Sequence, residues 1–181
     1  MNAIELMMDE HKYIKRMLKE VRSACLDILN GKDINYDEFY LMIDFIKNYA
    51  DSHHHKKEEV ILFNRMVDNI GSTAEKVIKH GMLVEHDLGR LYIRSLDEAL
   101  QSVREGNIDA KLDVIANAIS YTHLLERHIE KEDNVIYKFA LRELAEDIIS
   151  DVNKDCVEFE KSNEHIKEKY LSILENIEKN S

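Results

Sequence analysis

Proline is absent from the whole chain, and only five glycines occur among its 181 residues. Proline removes a backbone donor and glycine loosens the backbone, so a chain this poor in both favours long helices over a β-fold. Helix ends must be correspondingly few. "NGKDIN" (30–35), "NIGST" (69–73) and "EGNID" (105–109) concentrate the Gly, Asn, Asp and Ser residues that favour turns. Between them apolar residues recur at i, i+3, i+4 and i+7, the spacing of one helical face.

Four segments carry such a seam. Residues 3–29 align Met7, His11, Ile14, Leu18, Val21, Cys25 and Ile28, and residues 36–68 align Ile43, Ala50, His54, Glu58 and Ile61. Residues 73–105 align Ile78, Met82, His86, Gly89, Ile93, Leu96 and Leu100. Residues 109–142 align Val114, Ala118, Tyr121, Leu125, His128, Glu132, Val135 and Phe139. Long amphipathic helices with short connections predict an all-α, up-down-up-down four-helix bundle over 1–142. Residues 143–181 read as an additional amphipathic helix, kinked and packed on the outside of the same domain. No strong stop signal marks its start within "FALRELAEDIISD".

Composition narrows the function classes. A net charge of −11 with no basic patch argues against nucleic acid. The start "MNAIELMMDEH" lacks the features of a signal peptide, and no apolar stretch reaches the length of a membrane span. Cys25 and Cys156 match no CxxC pattern and read as core thiols in a reducing compartment. The expectation is a cytoplasmic protein with no membrane partner.

The seams are apolar except at a few positions, and those positions carry the chemistry. Each of the four contains one histidine: His11, His54, His86 and His128. Two add a glutamate one turn later, Glu58 and Glu132. A lone seam histidine is more often a hydrogen-bonded core residue than a ligand, and a lone His-x-x-x-Glu is common on helix surfaces. The joint pattern is different. Buried carboxylates are costly unless paired or bound to metal, and imidazole with carboxylate is the donor set of iron, manganese or zinc.

An internal repeat selects the inward face. "HHKKEEVILF" (54–63) aligns without a gap to "HIEKEDNVIY" (128–137), placing His54 on His128 and Glu58 on Glu132, while His55 falls on Ile129. Helical periodicity puts His54 inward and His55 nearer the edge, and makes His53 a bystander. His80 and His123 lie off the seams and read as surface or outer residues. No histidine is preceded by a glutamate at i−3, so the Glu-x-x-His pairs of ferritin-like sites are missing.

"MMDEHKYIKRML", "HHHKKEEVILF", "MLVEHDLGR" and "HIEKEDNVIY" together resemble the hemerythrin-like (HHE cation-binding) family, in order and spacing over about residues 4–140. The tail "EFEKSNEHIKEKY" is similar to the ending of prokaryotic members with an extra C-terminal helix. The resemblance implies two iron ions, oxo- or hydroxo-bridged. His11 and His54 would serve one, His86 and His128 the other, with Glu58 and Glu132 bridging. Oxygen carriers of the family have a further histidine where this chain has Met82, which leaves a position on the second iron for His55, Glu85, His165 or water. Their second bridging carboxylate would correspond to Asp133, whereas the repeat favours Glu132; Glu59 is a further outer candidate. The resemblance implies binding of O2, NO or peroxide for sensing, scavenging or buffering, more than dedicated enzymatic turnover. The alternatives are a stress-defence enzyme, or iron storage and iron–sulfur cluster repair. A redox or signalling partner is left open.

Overall fold

A computed structural model describes residues 2–180, which form five long helices and no strand among the described residues. They are α1 (Ala3–Leu29), α2 (36–70), α3 (72–104), α4 (111–143, entered through a 3₁₀ turn at Ile108–Ala110) and α5 (Glu146–Asn180). Among the described residues no helix is long and apolar enough to cross a membrane. The first four run as an antiparallel bundle, and α5 lies across α1 and α2.

The ends follow local chemistry. Asn2 accepts from the Glu5 amide while Glu5 reaches back to the Asn2 amide, a reciprocal cap on α1. Gly71 alone separates α2 from α3, at φ 82° and ψ −146°, a conformation that a side chain would strain. Leu144 ends α4 by turning extended and inserting its side chain into the core, a stop made by tertiary burial that no breaker residue announces. The expected kink in α5 falls at Asn163, φ −125° and ψ 18°, whose side-chain amide donates to the Phe159 carbonyl at 2.8 Å.

Four stretches depart from regular α-helix. Over Ile46–His55, Glu58–Phe63, Ile78–Met82 and Glu132–Ile136 the hydrogen-bonded turn widens from i→i+4 to i→i+5. A wide turn shifts the face on which later residues emerge, so a seam drawn at 3.6 residues per turn slips there. Val135 was expected in the seam and is 57% exposed, while Ile136 and Tyr137 are buried in its place.

The apolar core is in two parts. One holds Ile14, Leu18, Ala50, Ile93, Leu125 and Ile129 with Tyr170 and Leu174 of α5. The other holds Met7, Ile61, Met82, Ile136 and Tyr137 with Val152 and Cys156 of α5. On every helix a polar residue separates the two: His11, His54 and Glu58, His86, Glu132, and Glu160. The functional residues form a layer across the bundle.

Candidate metal centre

Each of the four bundle helices contributes to that layer at its middle. His11, His54, Glu58, His86, His128 and Glu132 are all 1% exposed or less, and the structure brings them together. They form two groups that share Glu58: His55, Glu58, His86 and His128 in one, His11, His54, Glu58 and Glu132 in the other. In each group the donor atoms lie within 4.8 Å of one another.

His55 is the chief revision to the sequence reading. It is buried rather than at the edge, with its ring stacked on His86 at 3.9 Å between centroids. The reason is the wide turn over Ile46–His55, which brings three consecutive histidines inward. His55 occupies the group that Met82 leaves short of a histidine. His165 and His80 are exposed and outside both groups, and His123 is exposed beside Arg22.

The inner atoms lack partners. His11 Nε2, His54 Nε2, Glu58 Oε2 and both Glu132 oxygens are buried without a hydrogen bond. Buried polar atoms are nearly always satisfied, so five orphans at one centre mark a cation site. His86 Nε2 and His128 Nε2 approach to 3.0 Å. The donor set is imidazole and carboxylate without thiolate, which suits iron, manganese or zinc. Each of the two groups could hold a metal ion.

Every histidine of the centre is oriented from behind. Nδ1 donates to a carboxylate in each: His11 to Asp133 (2.7 Å), His54 to Glu10 (2.8 Å), His55 to Asp51 (3.3 Å), His86 to Glu59 (2.7 Å) and His128 to Glu85 (2.9 Å). A carboxylate only accepts, so it fixes the tautomer and turns the Nε2 lone pair inward. Glu59, Glu85 and Asp133 therefore stand one layer outside the ligand position considered for them.

A third layer of cations holds the carboxylates. Lys57 contacts Glu10, Lys131 contacts Glu85, Lys15 lies 3.4 Å from Asp133, and Arg90 reaches both Asp51 and Glu59 at 2.7 Å. Lys57 is wholly buried between Glu10 and Glu160 of α5, with His53 alongside. Glu10, His53 and Glu160 have metal-like spacing, but the Lys57 ammonium already supplies the positive charge among them.

The charges follow. Burial and the neighbouring Glu132 charge hold the Glu58 carboxyl well above the usual range, even with Tyr137 donating to it at 2.5 Å. Burial also opposes ionisation of Glu132, but His128, His11 and His86 outweigh it and keep that carboxyl well below the usual range. Burial and the nearby His11 lower His54 to about 4. The hydrogen bond from His128, against partial burial and with help from Lys131, lowers Glu85 to about 2.

The arrangement is two-fold. Glu10 and His11 of α1 correspond to Glu85 and His86 of α3, as His54, Lys57, Glu58 and Glu59 of α2 correspond to His128, Lys131, Glu132 and Asp133 of α4. The outer bonds obey the same relation: Glu10 holds His54 as Glu85 holds His128, and Asp133 holds His11 as Glu59 holds His86. Sequence reasoning found the α2–α4 half and missed Glu10, Asp51, Lys57 and Arg90. The shared Glu-His of "DEH" and "VEH" was the available signal.

Comparison with known proteins agrees with this geometry. Searches of curated proteins and of solved structures return no significant match. The family model described as the hemerythrin HHE cation binding domain matches residues 2–140, which contain all four bundle helices up to the last turn of α4. A cation site built from His and Glu inside a helical bundle is what that family holds, and this chain belongs to the hemerythrin HHE cation-binding family.

Proposed function

We propose that the centre holds two iron ions bridged by Glu58 and Glu132, and that it binds O2, NO or peroxide. The observation that carries this reading is the pair of buried donor groups sharing Glu58, each with histidine Nδ1 atoms already engaged. His55, His86 and His128 serve one ion; His11 and His54 serve the other. Ferrous iron at such a site supplies electrons and a coordination position for a small oxidant.

The two halves differ, and the difference says where a small molecule fits. His55 completes a three-histidine set on its side, whereas the corresponding residue on α4 is Ile129, which offers no donor. On this reading the position for an exogenous molecule is on the His11/His54 side, and His55, one of the residues considered for the place beside Met82, fills the other. Glu132, flanked by His11 at 3.3 Å and His128 at 3.0 Å, stays charged and would supply the negative charge between the two groups.

A second reading is favoured by Tyr137. Its hydroxyl donates to Glu58 Oε1, and its ring stacks on His11 at 5.8 Å. The corresponding residue on α2 is Phe63, which has no hydroxyl to offer the other bridge. A proton held there suits turnover of peroxide, oxygen or nitric oxide more than simple carriage.

Metal analysis of anaerobically purified protein is expected to give about two irons per chain. A value near zero after iron reconstitution overturns the reading. Aerobic protein is expected to show near-ultraviolet and visible charge-transfer bands. Bands that bleach under vacuum and return mark binding; steady gas evolution from added peroxide, weakened in Tyr137→Phe, marks catalysis.

A further inference from the structure

A cavity of about 290 Å³ lies between α2, α3 and α4, bordering the metal centre. Its floor is the paired rings of His55 and His86, and its walls are Ile46, Ile93 and Tyr121, each buried in the surrounding core. Around it stand Lys47, Arg90 and Arg94 against the single carboxylate of Asp51. The volume is near the lower end of small-ligand sites, roughly 300–1,000 Å³.

The cavity exists where the two-fold relation is broken. On α1 the residue one turn beyond His11 is Ile14, which fills the core at 2% exposure. The matching residue on α3, beyond His86, is Gly89, which lines the cavity. Glycine inside a helix is unfavourable relative to alanine, because it leaves more backbone freedom to be lost on folding. The backbone does not require it, because Gly89 has no positive φ. Packing does not require it either: a Cβ there would meet Tyr121 at an ordinary 3.5 Å. What Gly89 provides is open space. The second break, Ile129 to His55, puts a polar ring edge at the bottom of that same space.

The charges around the space are selective. Lys47 pairs with Asp97 at 3.1 Å, and Arg90 is engaged by Asp51 and Glu59. Arg94 is exposed and makes no ion pair among the described residues, which leaves one guanidinium for an incoming acceptor. Guanidinium takes a carboxylate through two parallel hydrogen bonds. Apolar walls beside this one guanidinium suit a small anion with an apolar body.

We propose that this cavity binds a small organic monocarboxylate, its carboxylate on Arg94 beside Arg90 and its apolar body between Ile46, Ile93 and Tyr121. The site is separate from the position for oxygen-type ligands, and it stands even if the metal is not iron. Arg90 links it to the centre, because its partners Asp51 and Glu59 hold the Nδ1 atoms of His55 and His86. Occupancy of the cavity therefore reaches one half of the metal site without a ligand touching the metal.

The test is calorimetric titration of the metal-loaded full-length chain with benzoate, alongside benzamide as the neutral isostere. Saturable benzoate binding is expected, with benzamide at least about tenfold weaker. Gly89→Leu, which refills the space, is expected to abolish binding. Arg94→Gln is expected to weaken it by about tenfold or more, with the metal content of both variants unchanged. Excess azide is expected to leave benzoate bound. Absence of binding, equal binding by the parent and both variants, or displacement by azide overturns the proposal.

Discussion

At the scale of single residues, the position of His55 decides how the centre is built. Its ring lies against His86, and its Nδ1 is held by Asp51 within its own helix at 3.3 Å. His55→Ala is expected to lower metal content toward about one ion per chain, while His165→Ala on the exposed face of α5 leaves it at about two. Metal analysis of the two variants decides, and an unchanged His55→Ala protein would refute the three-histidine half. The six seam residues were legible in α-helical spacing, and the repeat agreed on four of them, His54, Glu58, His128 and Glu132. His55 was not, since adjacent residues share a face only where the turn widens, and nothing in the composition of "DSHHHKK" signals the widening. Lys57 was hidden differently. A lysine in a charged run ordinarily faces water, and its burial depends on Glu160, contributed from a helix more than a hundred residues away.

At the scale of elements, α5 is tied into the metal layer as well as packed on the bundle. Its first half covers one core through Val152 and Cys156, its second half covers the other through Tyr170 and Leu174, and Glu160 between them meets Lys57. The Ala3 amide also donates to Asn153 at 2.7 Å, fastening α1 to the same helix. Removing one partner of a buried charge pair leaves the other unpaired, at about 3–5 kcal/mol. Lys57→Met is expected to lower stability in urea by about that amount, and Glu10→Gln in the same chain to restore part of it. A single-variant loss under about 1 kcal/mol would show that Lys57 does not hold this junction. The four long segments and the outer helix were readable from periodicity and breakers. The α4–α5 boundary was not, because burial of the Leu144 side chain makes the stop.

For the whole molecule, a ring of ionised carboxylates sets the response to acid. Asp133, Glu59 and Glu10 are held below their ordinary values by the histidines and cations that outweigh burial, and Glu85 lies at about 2. A depressed carboxylate contributes stability above its unfolded value, near 4.5 for glutamate, and loses it as pH falls toward the folded value. Glu58 has the opposite sign and gains in acid, but it is one group against several. The melting temperature is expected to fall between pH about 4.5 and about 2, with a shallower fall in Glu85→Gln. Thermal melts across that range check it, and a flat profile would show that the outer carboxylates are not ionised.

The division of the core has a further consequence. With the polar layer lying between two apolar clusters, the buried apolar residues described at the two ends of the bundle form separate clusters rather than one continuous core. The two ends are expected to open as separate cooperative blocks, coupled by α5 and by whatever neutralises the charges between them. A cation held in that layer would act as a keystone. Its removal is expected to weaken the middle of the protein and to split one calorimetric unfolding transition into two.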